Sequence, residues 1–357
     1  VLTDNKISSE QWSAFVSSHP LGTVLQTNEW GDLKSNFGWK KHLLVLTAKE
    51  MGQGQDEQIV AGAMLLSKPL PLVGKRIFYA PRGPLIDFNN SEQILAFMVK
   101  IRELLKKEKG IALKIDPEIS EEQAKLFRQI GFMPASRQFQ PRVTYLLDLS
   151  KDLNSLLAGF EEKTRYNIRL SLRHGVTVKQ MSSEEGMNLF YDIHTETAQR
   201  DHFLVYGSTY YQKVRELIVE KGHGEIFIAF YQDKPVAGVV VFGMGKKLTY
   251  LYGASKSEAR NVMPNHALHW HILEWAKKQS YTTYDLWGIP AKPEPSHPLW
   301  GVYRFKKGFN GRLVKWIGLQ DYVLDPFWYW VFEKGLTYYK NLISLIKKGK
   351  ISDSLGE

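Results

Sequence analysis

Four elements recur in the same order in two halves of this 357-residue chain, and that repetition constrains its fold more than any other feature. The first copy runs "IVAGAML" (59–65), "KRIFYAPRGP" (75–84), "SEQILAFMVKIRELLKKEKG" (91–110) and "IALKIDPE" (111–118). The second runs "PVAGVVV" (235–241), "KKLTYLYGAS" (246–255), "NHALHWHILEWAKKQS" (265–280) and "YTTYDLWG" (281–288). Val60, Ala61 and Gly62 answer Val236, Ala237 and Gly238; Tyr79 answers Tyr250; Asp116 answers Asp285. Ile94, Phe97, Met98, Ile101, Leu104 and Leu105 follow helical spacing, as do Leu268, Ile272 and Trp275. "VAGVVVFG" is apolar and β-branched, the composition of a buried strand. Each copy therefore predicts two antiparallel strands, a crossover helix and a strand parallel to the second. A period this long means a duplicated domain and not a solenoid. The expected fold is a mixed α+β protein of two tandem domains, 1–147 and 148–317.

The bulk numbers agree with an ordinary globular protein: 43% hydrophobic and 24% charged residues are enough to build a sizeable core. The net charge of +10 favours an anionic partner, such as RNA, nucleotide phosphates or a membrane surface. There is no cysteine, which excludes disulfides, thiolate zinc sites and cysteine nucleophiles. The polar start "VLTDNKISSEQW" is no signal peptide, and no apolar run approaches the roughly 18 residues of a bilayer span, so a cytoplasmic protein is expected. His266, His269 and His271 share one short helix, but their spacing does not put all three on one face, so no metal site is expected.

Between the copies, Arg165, Arg169 and Arg173 recur every four residues and form one basic helical stripe, with Ile168 and Leu172 on a neighbouring apolar face. Such a stripe is either a solvated face or a set of phosphate contacts with RNA.

The strand–loop–helix unit of each copy resembles the GNAT acyltransferase fold. Coenzyme A-using members hold the pyrophosphate on the backbone of a glycine-rich loop. Here that stretch reads Arg260, Asn261, Val262, Met263, Pro264, Asn265: side chains fill the cradle, and Pro264 has no N–H to donate. The corresponding stretch of the first copy, "PLIDFNNSEQ" (84–93), has no glycine either, so no coenzyme A is expected. A longer series then resembles the Fem family of peptidoglycan cross-bridge aminoacyltransferases. The series includes "QTNEWGDLKSNFGWK" (26–40), "YAPRGPLID" (79–87), "LKIDPE" (113–118) and "KTRYNIRLSLRHGV" (163–176). It continues with "YLYGASKSEARNVMPN" (250–265), "YDLWGIP" (284–290) and "GVYRFKKGFNG" (301–311). The resemblance implies two GNAT-like domains, here without a coiled-coil arm.

It also implies a reaction: an amine of a precursor's stem peptide attacks the ester of an aminoacyl-tRNA, with no metal or redox cofactor. The amine must lose a proton, the reactants must be aligned, and the oxyanion must be stabilised. By resemblance, Phe305 and Lys306 match a functional Phe-Lys pair, with Lys306 in the oxyanion role and Lys307 facing elsewhere; the bland alternative is a lysine pair on an ordinary strand. Asp116, at a strand end, is either a base for the amine or a turn residue before Pro117. Lys40, Tyr210 and Tyr252 are implied acceptor contacts, joined by Arg82 of "YAPRGP". Many relatives carry an arginine where Tyr206 stands; Arg200 and Lys213 are candidate substitutes for its charge.

The aromatic, basic tail "DPFWYWVFEKGLTYYKNLISLIKKGK" (325–350) is expected to return to the first domain, with 318–357, as a helix burying Phe327, Val331, Tyr338, Leu342 and Leu345. An interfacial role beside Lys347 and Lys348, at the inner face of the membrane, is its alternative. The reading is thus a monomeric aminoacyl-tRNA-dependent transferase acting on a nucleotide-linked or lipid-linked precursor. Its competitors are a tRNA-dependent transferase with another acceptor, such as a protein N-terminus, and a non-catalytic RNA-binding module.

Overall fold

The computed structural model describes residues 7–52 and 58–335. The chain divides into two compact units, the first ending at Arg142 and resuming at Lys315, the second running from Val143 to Val314.

Unit 1 contains helices α1 (Ser9–Ser18) and α2 (Asn28–Ser35), then strands β1 (Lys40–Thr47), β2 (Ile59–Pro69) and β3 (Arg76–Ala80). Helix α3 (Ser91–Lys107) crosses to β4 (Gly110–Ile115), followed by α4 (Lys125–Gln129) and β5 (Phe132–Pro134). Unit 2 begins with β6 (Val143–Asp148), α5 (Leu153–Gly159), α6 (Glu162–Arg173), β7 (Thr177–Gln180), α7 (Glu184–Asp201) and α8 (Ser208–Val214). It continues with β8 (Gly224–Tyr231), β9 (Lys234–Met244), β10 (Lys247–Ser255), α9 (Pro264–Lys278), β11 (Thr283–Gly288), α10 (Trp300–Lys307) and β12 (Arg312–Lys315). The chain then returns to unit 1 with β13 (Gln320–Val323) and a helix, α11, over 326–335.

The duplication is visible strand by strand. β2 pairs antiparallel with β3, and β3 parallel with β4; β9 pairs antiparallel with β10, and β10 parallel with β11. Each crossover helix lays its apolar face on its own sheet, with Ile94, Phe97, Ile101 and Leu104 in one core and Leu268, Ile272 and Ala276 in the other. The paired glycines share a purpose. A Cβ at Gly62 would lie 2.5 Å from the Trp12 ring on α1, and one at Gly238 would lie 3.0 Å from the Phe190 ring on α7. In both units, an aromatic from an earlier helix rests on strand backbone that glycine leaves bare.

The sheets read β1-β2-β3-β4-β13-β5 and β12-β6-β11-β10-β9-β8-β7. The expected boundary after residue 147 is corrected to 142, because β6 is a strand of the second sheet, pairing Thr283 with Asp148 and Gly288 with Thr144. The expected return holds for the described residues: β13 enters the first sheet between β4 and β5. On α11, Trp328, Tyr329 and Phe332 pack against Ile77, Ile111 and Ala112, whereas Phe327, expected inside, is 64% exposed. Tyr338, Leu342, Leu345, Lys347 and Lys348 lie outside the described residues.

Candidate active site

The two copies differ at the end of their parallel pair. In unit 1, β3 and β4 stay paired to their last residues, Ala80 with Ile115. In unit 2, β10 and β11 pair only over Lys247–Thr249 and Thr283–Asp285, although β10 runs on to Ser255 and β11 to Gly288. The cause is local. Both strands shift register here, β10 between Tyr250 and Tyr252 and β11 between Asp285 and Gly288. Trp287 adopts a left-handed φ of 60°. The Asp285 carboxylate fixes this bulge: it accepts the Trp287 N–H at 2.8 Å and the Thr144 hydroxyl at 2.6 Å.

Lys306 spans the resulting fork. Its ammonium donates to the Gly288 carbonyl on one limb at 2.8 Å and lies 5.2 Å from the Tyr250 ring centroid on the other. The segment carrying it, expected as a strand on the bland reading, is helix α10. Helical geometry turns Lys306 inward and leaves Lys307 exposed, so the two lysines face opposite ways. Burial lowers the Lys306 pKa to about 7, with Asp285 acting in the other direction. Phe305 is half-buried, its ring against His266, His269 and Phe309.

The three histidines of α9 have partners within unit 2, His271 resting against the Phe227 ring. His269 lies beside the Tyr284 hydroxyl at 3.1 Å, and burial, then Lys306, push its pKa to about 3, so it is a neutral wall of the site. His266 contacts the Asn167 amide at 3.3 Å. Among the described residues no cluster suited to a metal ion exists. The glycine-free loop before α9 places Met263 in a left-handed conformation and Pro264 at the first helical position, with no side-chain cap. A cavity of about 390 Å³ opens beside Phe305, lined also by Thr164, Asn167, His266 and Tyr303. A larger one of about 650 Å³ lies along β6 and α5; its lining lacks Lys306, Tyr250 and Gly288, so volume alone is a poor guide to the chemistry here.

Other sequence candidates distribute as follows. Tyr210 and Tyr252 meet hydroxyl to hydroxyl at 3.3 Å in unit 2, both pushed up in pKa by burial. Tyr206 stacks on Tyr210 with centroids 4.0 Å apart. Arg200 and Lys213, candidates for the missing arginine's charge, hold local partners: Arg200 grips Asp201 and the Ser255 carbonyl, and Lys213 grips Glu216. Lys40 belongs to unit 1, where both Glu108 oxygens receive its ammonium, at 2.9 and 2.8 Å. Arg82, an implied acceptor contact, has a buried side chain that donates to the Pro141 carbonyl at 2.6 Å. Asp116 is also internal. It accepts the Tyr79 hydroxyl at 2.8 Å and the Arg82 N–H at 2.6 Å, and burial raises its pKa to about 6. On α6, Arg169 and Arg173 are exposed, but Arg165 turns back to the Ala158 and Phe160 carbonyls. Leu172, expected on an apolar face with Ile168, is 56% exposed while Ile168 is buried. Gly288, Tyr250 and Thr144 were not legible as site residues, since a bulge must bring them together.

The profile of the FemAB family matches residues 7–131, 127–230 and 215–334. The chain belongs to the FemAB family. It is similar to the lipid II:glycine glycyltransferase of Staphylococcus epidermidis, 28% identical over 96% of this chain and 99% of that protein. The enzyme of the same name from Staphylococcus aureus is 27% identical over 92% of this chain and 94% of its own length. Among solved structures, FemX matches with a TM-score of 0.83 at 25% identity, over 92% of this chain and 98% of that one. A tandem GNAT protein from the clavulanic acid pathway shares the fold, with a TM-score of 0.50 at 12% identity over 88% of this chain and 94% of that one. The FemAB chain described here is thus an acyltransferase built from two GNAT-like units, and its forked sheet is where the GNAT scaffold of unit 2 opens.

Proposed function

We propose that this protein builds peptidoglycan cross-bridges, moving an aminoacyl group from a charged tRNA to an amine on the stem peptide of a lipid-linked precursor. The observation that carries this reading is the likeness, along nearly the whole of both chains, to enzymes named for lipid II as acceptor.

The fork suits ester aminolysis. The amine nitrogen attacks the ester carbonyl carbon, and the carbonyl oxygen becomes an oxyanion. Lys306 makes one hydrogen bond, to Gly288, so further N–H groups of a protonated Lys306 can serve that oxygen. Collapse breaks the bond to the ribose oxygen. A lysine titrating near 7 can give its proton to that leaving oxygen and recover one from the attacking nitrogen, so the protons balance. Tyr210 and Tyr252 offer paired hydroxyls to the acceptor, and the exposed Arg169 and Arg173 offer charge to the donor's phosphates. No coenzyme A takes part. The protein acts as a monomer, at the cytoplasmic face of the membrane where charged tRNA and precursor meet.

The test is transfer in vitro from a mixed pool of charged tRNA to purified lipid II or its nucleotide-linked counterpart, read by mass spectrometry. A mass increment of one amino acid on the stem peptide is expected, together with the absence of any thermal protection by coenzyme A. No increment on either precursor would overturn the reading.

A further inference from the structure

We propose that one end of unit 1 is a docking surface for an anionic lipid bilayer, formed by the β2–β3 turn, the α3–β4 turn and the outer face of α11. The choice of a bilayer over a protein partner rests on the lipid-linked acceptor proposed above and on the charge at this end.

Three large apolar side chains are strongly exposed here. Leu72, at the tip of the β2–β3 turn, has a relative exposure of 105%; Phe327 and Trp330, three residues apart on α11, are 64% and 59% exposed. They belong to one surface. Lys75, just after the turn, pairs with Asp325, just before α11, at 3.0 Å. Leu70, just before the tip, packs against the same Ile77, Ile111 and Ala112 cluster as Trp328, Tyr329 and Phe332 on the inner face of that helix. The inner aromatics are thus spent on the core, while Phe327 and Trp330 point away from it.

Leu72 is also held at φ 66°, a left-handed conformation that glycine or asparagine adopts at lower cost. A leucine here is unfavourable twice within the isolated unit, in its backbone and in its exposure. Both costs have a use if the side chain enters another medium.

The charge around the patch selects the medium. The Arg76 N–H bonds to the Lys109 carbonyl, which brings the end of α3 beside the β2–β3 turn. Lys106, Lys107 and Lys109 are exposed there, as are Lys68 and Lys334. Two nearby carboxylates are neutralised by lysines of their own, Glu108 by Lys40 and Asp325 by Lys75, while Glu333 shares Lys114 with Asp321. Protruding leucine and aromatic side chains ringed by lysine match the boundary of an anionic bilayer, where apolar tips enter the acyl region and ammonium groups meet headgroup phosphates.

The experiment is flotation of the full chain with vesicles of phosphatidylglycerol and phosphatidylethanolamine, and with phosphatidylcholine alone. The protein should float with the anionic vesicles and stay behind with the neutral ones. The triple variant Leu72→Asn, Phe327→Ser, Trp330→Ser should lose roughly tenfold or more in partitioning. Because the chain has no cysteine, Leu72→Cys carries a single environment-sensitive dye, whose emission should shift to the blue with anionic vesicles only. An unshifted dye, an absence of flotation, or flotation that the triple variant retains would overturn the proposal. A precursor held in detergent separates this idea from the function above: the triple variant should still transfer to it at the wild-type rate. Loss of transfer in detergent as well would mean that the patch is not a membrane device.

Discussion

The Asp116 carboxylate accepts the backbone N–H of Arg82 at 2.6 Å, and in the second copy the equivalent Asp285 accepts the backbone N–H of Trp287 at 2.8 Å. Duplication has kept an acid at the end of the parallel strand and used it in both places to fix nearby backbone. The second oxygen of Asp116 takes the Tyr79 hydroxyl, so both are occupied inside unit 1.

Asp116 is therefore expected to hold the fold without serving as the base. A positioned general base contributes about 10²–10⁴ in rate. Asp116→Asn keeps an acceptor for Arg82 and should cost far less than that in kcat. Asp116→Leu, which leaves the buried Arg82 N–H unsatisfied, should lower stability by about 1–3 kcal/mol. Urea denaturation beside steady-state transfer separates the two effects. A loss of about 10²-fold in kcat for Asp116→Asn at unchanged stability would restore it as the base.

Lys306→Met should reverse the usual pairing of lost activity with lost stability. Removing an oxyanion donor costs about 10²–10³ in kcat. The lysine's folded pKa of about 7 lies below its ordinary 10.5, because burial disfavours the charge. Between those values the unfolded chain binds the proton and the folded one does not, so this group makes stability rise with pH across that window. Below pH 7 the protein carries the full cost of a buried ammonium. The methionine variant should melt no lower than wild type at pH 6 and lose this part of the alkaline rise, while still binding tRNA. Thermal melts across pH check it, and a variant that melts well below wild type would remove the buried charge from the account.

How much of this was legible in the chain follows from the range of the interactions. The hairpins and crossover helices were, because periods of 2 and 3.6 are local and the two copies confirm each other. Gly62 and Gly238 gave the alignment, and their neighbours Trp12 and Phe190 explain why it is glycine in both. The fork was not. It depends on a register shift near Trp287, and nothing in "YDLWGIP" tells a bulged strand from a straight one. The direction of Lys306 was legible only through resemblance, since an isolated "YRFKKGF" fits a strand as well as a helix. Arg165 and Leu172 show the limit of spacing, which puts residues on a helix face but does not say what lies opposite. Here it is the Phe160 carbonyl in one case and solvent in the other.

The arginine stripe on α6 splits into two roles that mutagenesis can tell apart. Arg169→Glu and Arg173→Glu should each weaken tRNA binding without changing the melting temperature, and should reduce the slope of log affinity against log salt by about 0.7–0.9 per lost phosphate contact. Arg165→Ala should act mainly on stability, since its guanidinium serves the carbonyls at the end of α5. Filter binding over a salt series decides it. Unchanged affinity and slope in both glutamate variants would make α6 a solvated face.

Lys114 anchors the returning segment, and its removal should show how strongly. Its ammonium meets both Asp321 oxygens, at 3.0 and 2.9 Å, and the Glu333 carboxylate of α11 at 3.1 Å, with the rings of Phe139, Tyr329 and Phe332 around it. Burial raises the Asp321 pKa, and Lys114 opposes that rise. Lys114→Met leaves Asp321 charged and sealed, so it should cost about 3–5 kcal/mol, the typical cost of breaking a buried pair from one side. Lys114→Met combined with Asp321→Leu removes both charges and should recover much of that loss, because two buried ions and a well-packed apolar pair differ little in net stability. Chemical denaturation of the two single variants and the double variant closes the cycle. Additive losses would mean that β13 and α11 are held by their apolar contacts alone, with the ion pair contributing nothing to their docking.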